Sequence, residues 1–198
     1  QTFFDHFNRS LFEGRLPMVM LLVQREAGVM GHYSKQRWVN GQGLKAGEIS
    51  INPTFIAKSR LIEVCQTVVH EMCHHWQHCF GKPSRQCYHN KEWARLMIKV
   101  GLMPSSTGEP GGDITGQGMS DYPLEGGPFH LAYLELLKCQ ADHLPWVDRR
   151  AVERINHTSV VSANEIVLDD CPGAKELAQY HSELLGHDFE PPEEYAAL

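Results

Sequence analysis

The chain has 198 residues, 42% apolar and 21% charged, which suits one packed domain with an appendage and excludes both a low-complexity chain and two full-sized domains. The longest purely apolar run, Met18 to Val23, is far too short to span a bilayer, and six cysteines without a C-x-x-C pair exclude a disulfide scaffold. The formal charge of −6 sits at one end: residues 161–198 carry nine acids and one base, residues 1–160 carry 15 acids and 17 bases.

Phe3, Phe4, Phe7, Leu11 and Phe12 recur at helical spacing and predict an amphipathic helix that stops near Gly14 and Pro17. Val19 to Gln24 reads as a buried strand. Tyr33–Val39 and Glu48–Ile51 read as two further strands joined across the glycine-containing stretch 40–47, and Pro53 ends the second. The strongest helix spans Arg60 to Phe80, with Ser59 as its cap, Gly81 and Pro83 after it, and Leu61, Cys65, Val68, Met72 and Trp76 as its apolar stripe. A second helix is expected from Lys91 to about Val100, capped by Asn90 and stopped by Gly101. Residues 104–128, rich in Gly, Pro, Ser and Thr, read as a long loop, arm or lid, and Phe129–Lys138 as a last helix. Beyond Trp146 the signals fade. The expected organisation is a domain over 1–122, a helical extension over 123–150 and an acidic segment over 151–198.

The chemistry concentrates in His70-Glu71-Met72-Cys73-His74, an H-E-x-x-H sequence on the strongest helix. Residues four apart lie one turn apart on one face, so both imidazoles reach one ion, and Glu71 stands beside them to take a proton from an activated water. The motif is short enough to arise by chance. A metal-free core reading, however, must satisfy two imidazoles and a carboxylate by other means, at a cost. A catalytic zinc takes three protein ligands and leaves one position open. His78 and Cys79 lie two or more turns on, about 12 Å along the helix axis, and His75 points about 100° away from His74. The third ligand therefore comes from another element. His89, after the turn at Gly81 and Pro83, is brought back by an antiparallel return.

These motifs and their spacing resemble the SprT-like family, which includes the Spartan proteases. The resemblance rests on Phe7-Asn8 with Leu11 to Pro17, on Gly31-His32-Tyr33, on Ile49 to Pro53, on His70 to His74 with Trp76-Gln77, and on His89 followed four residues later by Trp93. The 19-residue step from His70 to His89 matches that family's third-ligand spacing. Gly101 to Gly108, with the glycine-rich stretches up to Phe129, resembles a bacterial or mobile-element branch. The resemblance implies a zincin-like α+β fold, with the metal helix packed on a small antiparallel sheet, and one catalytic zinc ion held by His70, His74 and His89. It further implies endopeptidase activity with Glu71 as base, acting on proteins bound or crosslinked to DNA and activated by single-stranded DNA. Many relatives continue into a four-cysteine zinc ribbon. Here only Cys171 follows Trp146, so a second structural zinc is not expected, and the acidic segment stands in the ribbon's place.

Further candidates carry bland alternatives. Tyr33, Tyr88 and Tyr122 are candidate oxyanion donors or ordinary packing residues. Glu48–Ile51 is a candidate edge for extended substrate or an internal strand. Lys82, Arg85, Lys91, Arg95 and Lys99 are a candidate phosphate-facing segment or a solvated helix face. Cys73, Cys79 and Cys87 are candidate reactive thiols or incidental ones. Two rival functions stand beside the peptidase of DNA-bound proteins: a DNA- or transcription-associated binding module with a structural zinc, and a metallopeptidase without a nucleic-acid link. The expected partners are a protein or peptide substrate and single-stranded DNA, with no membrane and a cytoplasmic location.

Overall fold

Helix α1 (Thr2–Phe12) buries Phe3, Phe4, Phe7 and Phe12 along one stripe and ends where Glu13 and Gly14 enter the left-handed region. In the computed structural model, residues 1–85, 87–139 and 148–151 are described. The segment from 152 onward, with Cys171 and most of the predicted acidic region, lies outside them, as does Trp146.

Strands β1 (Val19–Val23), β2 (Gly31–Val39) and β3 (Lys45–Ile51) form one sheet in the order β1-β3-β2. The β2–β3 pair is the expected antiparallel hairpin, its turn held by Asn40 Oδ1 accepting from the amides of Gln42 and Leu44. Strand β1 pairs with β3 in parallel, so the sheet is mixed and not purely antiparallel as expected. The same topology corrects one local expectation, the buried strand at Val19–Gln24: β1 is an edge strand in which only Val19 is buried. Glu48–Ile51, read as a substrate edge or an internal strand, is internal, with a partner on each side. The free edge packed against the metal helix belongs to β2.

Pro53 opens the short helix α2 (Pro53–Ile56), capped by Asn52. Helix α3 (Leu61–Phe80) then crosses β2 and β3. Its start differs from the sequence expectation: Arg60, not Ser59, holds the cap position, because the Glu63 carboxylate turns back to accept the Arg60 amide at 3.0 Å, while Ser59 is buried. Helix α4 (Lys91–Lys99) begins as expected, with Asn90 Oδ1 accepting from the Trp93 amide at 3.0 Å. Gly101 follows at φ +88°, and a Cβ there would stand 2.8 Å from the Phe129 nitrogen, so both the turn and the close approach require glycine.

Residues 104–128 are not one long loop. Strand β4 (Leu102–Ser105) pairs antiparallel with β5 (Ser120–Pro123), and helix α5 (Pro128–Cys139) follows. Buried Val68, Met72, Trp93, Met97, Phe4, Phe7, Phe129 and Leu136 belong to one core cluster, with Phe7 stacked on Phe129. The core thus forms around α3, between α1, α4, α5 and the sheet. Among the described residues no helix is long and apolar enough to cross a membrane.

Candidate metal centre

His70 and His74 stand one turn apart on α3, their ring centroids separated by 5.2 Å. His89 reaches them from the α3–α4 connection, which is folded back by specific bonds. Gln77 near the end of α3 donates to Asn90 Oδ1 and Glu92 Oε2 at the start of α4, and Glu92 Oε2 also accepts the Lys82 amide. A two-way backbone bridge between His89 and Gly116 then pins the residue against the segment ahead of β5. One nitrogen from each of the three rings lies within 4.8 Å of the others, and His74 Nε2 is 3.0 Å from His89 Nε2.

The hydrogen bonds behind the rings select the tautomers. A carbonyl only accepts, so His89 Nδ1–H donates to Gly116 O (3.2 Å) and its Nε2 presents a lone pair inward. His70 Nδ1 donates to the Asp121 carboxylate at 2.9 Å, which turns its Nε2 to the same point. Trp93, fully buried, packs against all three rings with centroids 4.4 to 5.4 Å away. Burial, then the charges of His70 and His89, hold His74 well below the usual imidazole range; burial, then the charge of His70, brings His89 down to about 4. Burial pulls His70 down too, but the hydrogen bond to Asp121 and the charges of Glu71 and Asp121 outweigh it and raise its pKa. Three imidazoles with converging nitrogens, His89 buried and His70 and His74 half-buried, two of them oriented from behind, fit a three-histidine zinc set with a position left open.

Glu71 is buried beside His70, and burial raises its pKa against the lowering effect of the His70 and His32 charges and a hydrogen bond from the Tyr33 backbone. A buried carboxylate held near a metal is a suitable proton acceptor.

Asp121 is the functional residue that sequence reasoning missed. It lies on β5, inside the stretch read as loop, and its carbonyl accepts from Gln66 Nε2 at 2.7 Å, which ties β5 to α3. An isolated acid in Ser-Asp-Tyr-Pro gives no periodic signal. Only the rule that ligating histidines have a partner on their second nitrogen points to it.

The other candidates separate from this cluster. His75 bonds the Tyr33 hydroxyl and the Pro17 carbonyl, with Cys79 Sγ 3.7 Å from its Nδ1, and the His78 ring packs near Tyr33. Tyr33 therefore spends its hydroxyl on His75. Tyr122 alternates to the strand face opposite Asp121, and Tyr88 lies beneath Arg85. Cys65 and Cys73 are buried thiols pushed up by desolvation, the setting of inert cysteines. Of the basic segment, Arg95 and Lys99 line a groove of about 240 Å³ with Leu11, Arg15 and Trp76. Arg95 is about 200° around α4 from Trp93, so this groove does not open beside the histidines.

This geometry defines an α+β protein with a three-histidine candidate metal centre and an adjacent carboxylate. The family model of the SprT-like family matches residues 1–110, and the chain belongs to that family. Neither a curated protein nor a solved structure matches it.

Proposed function

We propose that the chain is a zinc-dependent endopeptidase of zincin-like architecture, with His70, His74 and His89 as ligands and Glu71 as general base. The observation that carries this reading is the convergence of three imidazole nitrogens within 4.8 Å, next to a buried glutamate on the same helix. Zinc in such a site supplies Lewis acidity toward a carbonyl and lowers the pKa of water. Glu71 would accept a proton from an attacking water and return it to the leaving amine. Asp121 and the Gly116 carbonyl hold two rings in their ligating tautomers. An extended substrate would lie along β2, an edge strand among the described residues.

The substrate class is proposed from the family: proteins bound or crosslinked to DNA, with single-stranded DNA as activator. Arg15, Arg95 and Lys99 line a groove that could meet phosphates, although Glu13, paired with Arg15, and Glu92 line it too. Its separation from the histidines favours, as a second reading, a metallopeptidase with no nucleic-acid link. Fluorescence anisotropy with labelled single-stranded DNA, at two salt concentrations, separates them. The first reading expects modest binding that weakens steeply with salt and strengthens when residues 161–198 and their acids are removed. No binding by either form at low salt leaves the plain peptidase.

A further inference from the structure

Outside the histidine cluster lies a second set of buried polar contacts that the proposed chemistry does not use. His75 is 3% exposed on α3, directly after His74. Its Nε2 lies 3.0 Å from the Pro17 carbonyl, in the connection between α1 and β1. A carbonyl accepts only, so Nε2 carries the proton and Nδ1 accepts the Tyr33 hydroxyl at 3.1 Å. The Tyr33 backbone is also among the groups that lower the Glu71 pKa, which puts it beside that carboxylate. One residue of β2 thus lies beside the proposed base with its main chain and bonds the buried histidine with its side chain.

The sheet is shaped to admit this contact. A Cβ on Gly47 of β3 would stand 2.8 Å from the Tyr33 ring and 3.1 Å from its hydroxyl, so the ring occupies the place of the missing side chain. The β2–β3 ladder is regular from Gly31 to Ser34 and then shifts before Trp38, with Gln36 at φ +45°. The pairing is interrupted between Ser34 and Trp38 and resumes at Trp38–Ala46 and Val39–Lys45. The side-chain contact at Tyr33 holds β2 next to the irregular part.

We infer that Tyr33 and His75 form a positioning clamp that fixes the edge strand β2 against α3 and so sets the orientation of the Glu71 carboxylate. The inference rests on the peptidase reading for its kinetic consequence, and on the hydrogen-bond geometry alone for its structural one. Losing the Tyr33–His75 bond frees the strand to shift, and a carboxylate displaced by a fraction of an ångström is a poorer base while the ligands stay in place. The effect belongs in kcat and not in substrate binding at the open strand edge.

The test uses the full-length zinc-loaded chain and two variants that keep ring packing: Tyr33→Phe removes only the hydrogen bond to His75, and His75→Phe removes it together with the bond to the Pro17 carbonyl. Rates are measured against quenched fluorescent casein, with and without single-stranded DNA. Amide hydrogen exchange at Tyr33 is followed in the same proteins and in Glu71→Ala. Tyr33→Phe should lower kcat about five- to tenfold, the loss of one hydrogen bond, and His75→Phe at least as much, with KM and zinc content unchanged. The double variant should be no worse than His75→Phe alone, because the contact that Tyr33→Phe removes is already lost in His75→Phe. Tyr33 amide protection should fall in His75→Phe and in Glu71→Ala. The clamp is overturned if kcat stays within about twofold of wild type, if KM alone changes, or if the two losses multiply. Should the wild-type chain cleave nothing, the peptidase reading fails by itself. The exchange data then decide the clamp: unchanged protection in His75→Phe refutes it and lost protection upholds it.

Discussion

Replacing Asp121 probes the part of the centre that lies farthest from the motif. The carboxylate is buried, and its Oδ2 accepts from His70 Nδ1 at 2.9 Å, while Oδ1 has no hydrogen-bond partner among the described residues. Asp121→Ala leaves the His70 N–H without its acceptor in a desolvated site and frees the ring to turn. Loss of such a partner typically costs 10- to 100-fold in metal affinity, about 1.4–2.7 kcal/mol. Asp121→Asn keeps an oxygen for the His70 N–H but loses the charge and places an NH2 at the buried Oδ1 position, so its affinity should fall between wild type and alanine. Zinc affinity is read by competition with a chromophoric chelator at pH 7. Unchanged affinity in Asp121→Ala would refute the claim that β5 orients the His70 ligand, and an asparagine variant weaker than alanine would refute the assignment of acceptor and orphan oxygens.

His89→Ala should lose most of its zinc while His78→Ala keeps it, since His78 packs near Tyr33 and stands outside the cluster; metal analysis of the purified variants checks this, and the reverse pattern contradicts the assignment. In metal-free protein the His74 and His89 pKa values lie below the ordinary 6.5, His89 at about 4. The unfolded chain therefore takes up those protons first, and the stability they contribute is complete above pH 6.5 and lost as pH falls toward about 4. Melting curves of the metal-free chain should show Tm dropping from pH 7 to pH 5 by more in the wild type than in His89→Ala, and equal drops would refute the shift.

The sequence displays the local parts of this site and hides the long-range ones. His70, Glu71 and His74 are legible because four-residue spacing on a capped helix is a property of a single element. His89 follows from distance along that helix, which forces the third nitrogen to come from elsewhere. Asp121 is not legible, because its partnership with His70 spans 51 residues and depends on a β4–β5 pair inside a stretch whose composition reads as loop. The strand errors have a similar cause. A continuous apolar run such as Met18–Val23 gives no indication of whether its strand lies at an edge or in the centre, and the parallel pairing of β1 to β3 puts β1 at an edge and makes Glu48–Ile51 the internal strand of its two readings. The role of Tyr33 is hidden for the same reason, since its partners Glu71, His75 and Gly47 come from two other elements.

The most direct test of the central claim compares wild type with Glu71→Gln on a protein crosslinked to single-stranded DNA and on the same protein free, with zinc content measured on both preparations. Glutamine leaves the three imidazoles untouched and removes only the proton acceptor. The variant should hold one zinc per chain and cleave at least about a hundredfold more slowly, as expected when a general base is lost. Cleavage by Glu71→Gln at the wild-type rate, with zinc bound, would contradict the proposed role of Glu71 and with it the reading of this centre as a peptidase active site.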